Sequence, residues 1–208
     1  AKTDKFARIA RGMFAIGLMF YSMSLVAAAG SQMESNELFQ YVINYFKANP
    51  LVSLAIATFL TAMVHSSAAT IAFVMSLMVA RHATVEEAIP WVLGANLGST
   101  TTAFFASFKS GVLGKQVALG HLLCKTIGVV ICFPLMKYLG HAAVFLGGDI
   151  SRQIANTHTL FNIGLAILFF PFVSWGVSLV KRLVSEANEK GPFTFQYLDP
   201  RILESPEL

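Results

Sequence analysis

The sequence predicts an all-α integral membrane protein, built from broken or re-entrant helix hairpins with flanking transmembrane helices. Three observations predict it. Of 208 residues, 55% are hydrophobic and 12% are charged, where soluble domains carry about 25% charged residues, and mean hydropathy is +0.64. The charges fall between four neutral runs, Gly12–Met33, Ala48–Ala80, Ala88–Phe108 and Gln153–Val180, each as long as the roughly 20 residues that cross a hydrocarbon core. Two of these runs are interrupted by small polar residues. Thr61-Ala-Met-Val-His-Ser-Ser-Ala-Ala-Thr70 places four hydroxyls and an imidazole at membrane depth, and Gly94-Ala-Asn-Leu-Gly-Ser-Thr-Thr-Thr-Ala103 repeats the pattern further on. Such groups are costly in lipid unless they line a cavity or bind something. Short apolar segments interrupted in this way are a sequence sign of a transporter's binding site.

Taken in order, Lys2, Lys5, Arg8 and Arg11 precede the first neutral run, so the positive-inside rule places the N-terminus in the cytoplasm. The apolar stretch behind them is too long for a cleavable signal peptide. The absent initiator Met suggests processing or an excised fragment. A span from about Gly12 to Ala29 follows, then a polar break, then Glu37 to Lys47, whose Phe39, Tyr41, Tyr45 and Phe46 suit an interfacial helix. Asn49-Pro50 ends one helix and starts the next, because proline is tolerated in a first turn.

Leu51–Val64 and Ile71–Ala80 are each too short to cross, and with the polar knot between them they predict one broken span or a re-entrant hairpin. Thr84-Val-Glu-Glu has the form of a capping box, starting a helix that Pro90 and Gly94 should limit. A half-helix over Thr100–Phe108, a span over Gln116–Met136 and a last span over Ile154–Val180 complete the set. Lys181-Arg182 closes that last span and makes the C-terminus cytoplasmic too. Cys124 and Cys132 share one predicted helix, about 12 Å apart by helical rise, and are too distant to bridge. From Ser185 the composition turns polar and Pro-punctuated, with no core of its own. The expected organisation is a basic cytoplasmic lead-in (1–11), a transmembrane unit (12–182) and a cytoplasmic linker (183–208).

The chemistry on offer is hydroxyl, amide, imidazole and backbone. No Asp or Glu lies inside the neutral runs, which argues against a carboxylate proton relay and against intramembrane metal cages. Hydroxyl oxygens and freed carbonyls can replace the hydration shell of a small hard cation. Half-helix N-termini suit an oxyanion. Against this stands the reading that Ser and Thr only let helix backbones approach. Taken as a set, Ser66, Ser67 and Thr70 with Asn96, Ser99, Thr100, Thr101 and Thr102 favour a site. His65, His121 and His158 show no recurring metal-ligand spacing. Lys125 is the one charge deep in a predicted span, either functional or snorkelling to an interface. Neither a catalytic role nor an organic cofactor is expected. An intramembrane hydrolase using Ser66 or Ser67 with a His base is weakened by the absence of a nucleophile-elbow pattern.

His65-Ser66-Ser67-Ala68 and Gly94-Ala95-Asn96-Leu97-Gly98-Ser99-Thr100 carry a family resemblance. The chain resembles the bacterial sodium–phosphate cotransporters, relatives of the animal type II sodium-dependent phosphate transporters, over about residues 12–182. In that family a Gln-Ser-Ser-Ser motif sits at the helix break and a Gly-Ala-Asn-Ile-Gly-Thr-Thr motif follows it. Val117-Ala-Leu-Gly-His121-Leu-Leu123 and Ala155-Asn-Thr-His158-Thr-Leu-Phe161-Asn162 are similar to two further family patterns. Pro171 sits where the last helix of the family usually carries a Leu-Pro or Phe-Pro step. His65 and Ala68 replace the family's Gln and third Ser.

The resemblance implies sodium-coupled symport of inorganic phosphate across the inner membrane. It implies phosphate at Ser66, Ser67, Asn96, Gly98, Ser99 and Thr100, and the coupling ion Na+ at His65, Ser66, Thr70, Asn96, Thr100 and Thr101. Members have two inverted repeats, so this chain is expected to be one repeat, the second half of a longer transporter or one subunit of a homodimer. The tail Tyr197-Leu-Asp-Pro200 with Pro206-Glu-Leu208 looks like the lead-in to a cytoplasmic PhoU-like domain. The expected partners are phosphate, lipid, the second repeat and that domain, with no nucleic acid. A phosphate sensor without net transport is the alternative.

Overall fold

The computed structural model describes residues 2–33, 35–80 and 83–185, and within them every regular element is helical. Helix α1 runs Lys2–Gln32, α2 Glu37–Ala48, α3 Pro50–Val64, α4 Ser67–Ala80, α5 Val85–Gly98 and α6 Thr100–Ser107. Beyond them come α7 (Val112–Cys132), α8 (Met136–Phe145) and α9 (Ile150–Phe169), which passes through a 3-10 turn at Phe170–Phe172 into α10 (Val173–Leu183). Among the described residues three stretches are long and apolar enough to cross a membrane: Lys5–Gln32, Val112–Cys132 and Ile150–Leu183. The pair α2 and α3 is bent by 103°, and α3 and α4, at 15 and 14 residues, fall short of the roughly 30 Å core at about 1.5 Å per residue. The linker and PhoU lead-in expected beyond Ser185 lie outside the described residues.

Local signals set most boundaries. The Asn36 side chain accepts from the Phe39 N–H at 3.0 Å and caps α2. Pro50 occupies the first turn of α3. Gly147 and Gly148, at φ 77° and 98°, turn the chain between α8 and α9, and Asp149 caps α9 by accepting from Arg152 N–H at 2.9 Å. The basic lead-in is the start of α1 itself, which continues through the predicted span with side chains such as Phe14 and Phe20 exposed.

Three expectations need correction. Helix α5 does not stop at Pro90 or Gly94 but runs to Gly98, because burial along almost its whole length outweighs the local helix-breaking tendency. Ile89, Val92, Leu93 and Ala95 on it are fully enclosed. Thr84 is the N-cap of α5 but its side chain makes no capping bond, and the Glu87 carboxylate reaches Lys47 of α2 at 3.0 Å. The stretch before the last span also holds a separate helix, α8, which the apolar run had hidden.

At the centre of the fold α5 packs against α3. The small residues Ser53, Ala57 and Thr61 form the buried stripe of α3, and Gly94 and Gly98 face them. A Cβ on Gly94 would lie 2.3 Å from the Leu54 carbonyl oxygen, and one on Gly98 would lie 2.4 Å from that of Thr58 and 2.7 Å from Thr61 Cβ. The two backbones are therefore in direct contact, the small-residue packing that drives helix association in lipid. Thr58 Oγ1 donates both to its own turn at Leu54 (2.8 Å) and across to the Gly94 carbonyl (3.2 Å). Gly98→Val is expected to destabilise by about 3 kcal/mol or more, the upper end of overpacking costs, because backbone atoms block the new side chain. Gly17→Ala, with nothing within 4 Å, should leave stability unchanged or slightly raised, as unfolding of both variants in mixed micelles would measure.

Candidate functional site

The first interruption is a true chain reversal. His65 ends α3 in the left-handed region at φ 57°, a conformation that a non-glycine residue adopts at a cost. Its N–H donates to the Thr61 carbonyl at 2.8 Å. Thr61 Oγ1 then donates to Thr70 Oγ1 at 2.9 Å, although nine residues along a straight helix would separate them by about 13 Å. Thr70 Oγ1 donates in turn to the Ser66 carbonyl at 3.3 Å. Ser66 is the N-cap of α4, accepting from the Ala69 N–H at 3.2 Å, so its own hydroxyl hydrogen stays available. The Ser67 hydroxyl has no partner among the described residues. The first N–H groups of α4 have no intrahelical acceptor.

The second interruption is slighter. Only Ser99 separates α5 from α6, at φ −63° and ψ −19°, and its N–H still reaches Ala95. Three successive hydroxyls hold it: Ser99 donates to Asn96 O (2.7 Å), Thr100 to Leu97 O (2.7 Å) and Thr101 to Gly98 O (2.6 Å). Such back-bonding bends a helix without ending it. Each of these hydroxyls has spent its one hydrogen and offers only lone pairs.

Thr61 joins the two interruptions, bonded to Thr70 on one side and packed on Gly98 on the other. A second link joins Thr102 Oγ1 and His65 Nδ1 at 3.4 Å, with Phe105 edge-on to the imidazole at 6.5 Å. Thr70, Asn96 and Thr100 are buried, Ser66, Ser67, Ser99 and Thr101 are partly buried, and His65 is exposed. Gly98 is buried as a packing residue. The expected site residues thus fall into a donor-bearing face (Ser66, Ser67) and an acceptor-bearing face (Ser99, Thr100, Thr101). Asn96 is turned away from both. Its Nδ2 donates to Val92 O at 2.9 Å and its Oδ1 accepts from Lys125 Nζ at 2.8 Å and Asn162 Nδ2 at 3.2 Å.

That last cluster is what sequence reasoning missed. Lys125 does not snorkel. Its ammonium donates to Asn96 Oδ1 and to Asn162 Oδ1 and lies 5.3 Å from the centre of the Phe161 ring, in the range of a cation–π contact. The available signal was the equal spacing of His121 to Lys125 and of His158 to Asn162, which puts each pair on one face of its helix. Among the described residues no His is hydrogen-bonded to Ser66 or Ser67. No group of three His, Cys, Asp or Glu side chains gathers among the described residues.

A sequence profile described as Na+/Pi-cotransporter matches residues 18–182. The chain belongs to this family. With its three long apolar stretches it is an all-α, multi-pass membrane protein. YqeW of Bacillus subtilis, an uncharacterized protein, is 27% identical over 169 residues, covering 81% of this chain and 55% of that protein. YjbB of Escherichia coli K12, provisionally named for inorganic phosphate export, is 23% identical over 208 residues, all of this chain and 38% of that protein. The same protein in Salmonella typhimurium LT2 matches to the same extent. The chain therefore spans 55% and 38% of the lengths of these curated relatives. No solved structure matches it.

The left-handed turn at His65 gives a local test. His65→Val is expected to lower stability by about 1–2 kcal/mol, because a β-branched side chain is poorly tolerated at that backbone conformation. His65→Gly should hold or raise it. The comparison is read by unfolding both variants in the same micelles.

Proposed function

We propose that the chain forms one repeat of a sodium-coupled inorganic phosphate symporter of the cytoplasmic membrane. The observation that carries this reading is the division of labour between the two interruptions. At the α3–α4 reversal, Ser66 and Ser67 hydroxyls and the first N–H groups of α4 are hydrogen-bond donors, which suit the oxygens of an anion. At the α5–α6 interruption, Ser99, Thr100 and Thr101 oxygens are acceptors alone, which suit sodium. Thr61 and Thr70 hold the two faces side by side, so a cation and an anion could bind as neighbours and neutralise each other in lipid. Relative to the sequence reading, which put Ser66, Asn96 and Thr100 on both ions, this moves Ser99 from the phosphate to the sodium side. It assigns Thr100 to sodium alone and Ser66 to phosphate alone, and leaves Asn96 and Gly98 as supports of the site. His65 holds the reversal and bonds Thr102.

Phosphate as the anion, sodium as the cation and coupling between them are supported by the family description and by the provisional name of the Escherichia coli relative. A second repeat, supplied by more of the same protein or by a second copy, would close the other side. Both termini would be cytoplasmic, and a PhoU-like domain would follow residue 208. Coupled symport moves phosphate in whichever direction the combined gradients favour.

Radiolabelled phosphate flux through proteoliposomes, with and without a sodium gradient in each direction, tests the reading. Sodium-stimulated flux is expected. Ser66→Ala with Ser67→Ala should reduce it at least about tenfold, since a hydrogen bond to a charged group is worth about 1.5–3 kcal/mol. Thr100→Val with Thr101→Val should instead raise the sodium concentration needed for half-maximal flux. Flux indifferent to sodium would sink the coupling. Saturable phosphate binding with no flux, from folded protein holding both repeats, would point to a sensor.

A further inference from the structure

A lysine in the middle of a membrane helix usually has a carboxylate partner, an aqueous path for its head group or a function. Among the described residues Lys125 forms no ion pair, and the neutral runs around it hold no Asp or Glu. Its ammonium is turned inward, onto the amide oxygens of Asn96 from α5 and Asn162 from α9, with the Phe161 ring beneath it. Two neutral oxygens and an aromatic face, with no anion, are the surroundings of a desolvated monovalent cation. The amides are themselves fixed for that task. Asn96 is 2% exposed and anchored through Nδ2 to Val92 O, and Asn162 Nδ2 donates to His158 O at 2.7 Å and to Asn96 Oδ1. With Asn96 Nδ2 bonded to Val92 O and both N–H hydrogens of Asn162 in use, the two amides present their oxygens to the Lys125 position.

Helices α7 and α9 repeat one pattern here. His121 precedes Lys125 by one turn, as His158 precedes Asn162, so the ammonium stands where its sister helix carries a neutral amide. The Lys125 side chain also lines a groove of about 270 Å³ with His121, Cys124, Asn162, Leu165 and Phe169.

We propose that the Lys125 ammonium is a resident cation, tethered in a monovalent-cation position formed by the side-chain oxygens of Asn96 and Asn162. Shortening the side chain turns this position into a sodium site. The chemistry of this position stands on its own geometry. Its consequence for transport rests on the coupled symport proposed above: a positive charge fixed beside the α5–α6 interruption would spare one mobile sodium per cycle.

The test is thermal unfolding of the purified full chain, as wild type, Lys125→Asn, Lys125→Ala and Lys125→Met, in sodium chloride and in choline chloride of equal concentration. The two shortened variants are expected to melt below wild type in choline. They should regain most of the loss in sodium, with a sodium-dependent rise in Tm roughly twice that of wild type or more, as specific binding to the folded state requires. Lys125→Met fills the position without a charge and should gain no such rise. Binding of radioactive sodium to Lys125→Asn, lost again on Asn162→Leu, would assign the site. Shortened variants that respond to sodium no more than wild type, or that fold in neither salt, overturn the inference. So does a result in which Lys125 variants keep the wild-type sodium response and lose stabilisation by inorganic phosphate, because Lys125 would then be an anion anchor. None of these readouts depends on phosphate flux, so a failure of the symport reading would be seen separately.

Discussion

The direct backbone contact between α3 and α5 is the constraint on which the rest of the structure depends. In lipid there is little hydrophobic drive to bring two helices together, and close packing with interhelical hydrogen bonds must supply it. Gly94 and Gly98 remove the side chains that would keep the helices apart, and Ser53, Ala57 and Thr61 do the same from the other side. This contact fixes α5 as the buried axis of the molecule, with α4, α7, α8 and α9 packed around it. It also sets the two interruptions side by side, because Thr61 and Gly98 belong at once to the packing seam and to the helix ends. The Gly-Ala-Asn-Leu-Gly segment is thus a packing device first, and the second interruption lies where it ends.

The fully buried polar side chains are all partnered, and the unspent hydroxyl hydrogens of Ser66 and Ser67 lie in partly buried positions. No buried side-chain nitrogen or oxygen among the described residues lacks a hydrogen-bond partner. Hydroxyls on α5 and α6 give their hydrogens to carbonyls one turn back, whereas Ser66 receives one from the backbone and keeps its own. The same residue types therefore present opposite faces to a ligand according to which backbone groups lie nearby. An extended hydroxyl-rich motif can be read as cation-binding or anion-binding only once those bonds are assigned.

The sequence by itself determined the class of the molecule and the sites of interruption. Charge-free runs of spanning length, the Asn49-Pro50 and Gly147-Gly148 punctuation and the polar knot at Thr61–Thr70 are local or periodic signals, and lipid leaves few alternative folds for them. It also singled out Ser66, Ser67, Thr70, Asn96, Ser99, Thr100, Thr101 and Thr102 as one set. What it could not determine was direction: which way each hydroxyl points, and which partner a buried group selects. Pro90 and Gly94 read as stops, yet burial carries α5 through both. Glu87 reads as half of a capping box, yet Lys47 from another helix takes its carboxylate. Lys125 reads as either functional or snorkelling, and Asn96 and Asn162, 29 and 37 residues away, draw it inward. Each of these outcomes was decided by the tertiary structure. Sequence spacing fixes which residues share a helix face, but contacts between helices set the solvation and the hydrogen-bond partners that decide where a polar side chain goes.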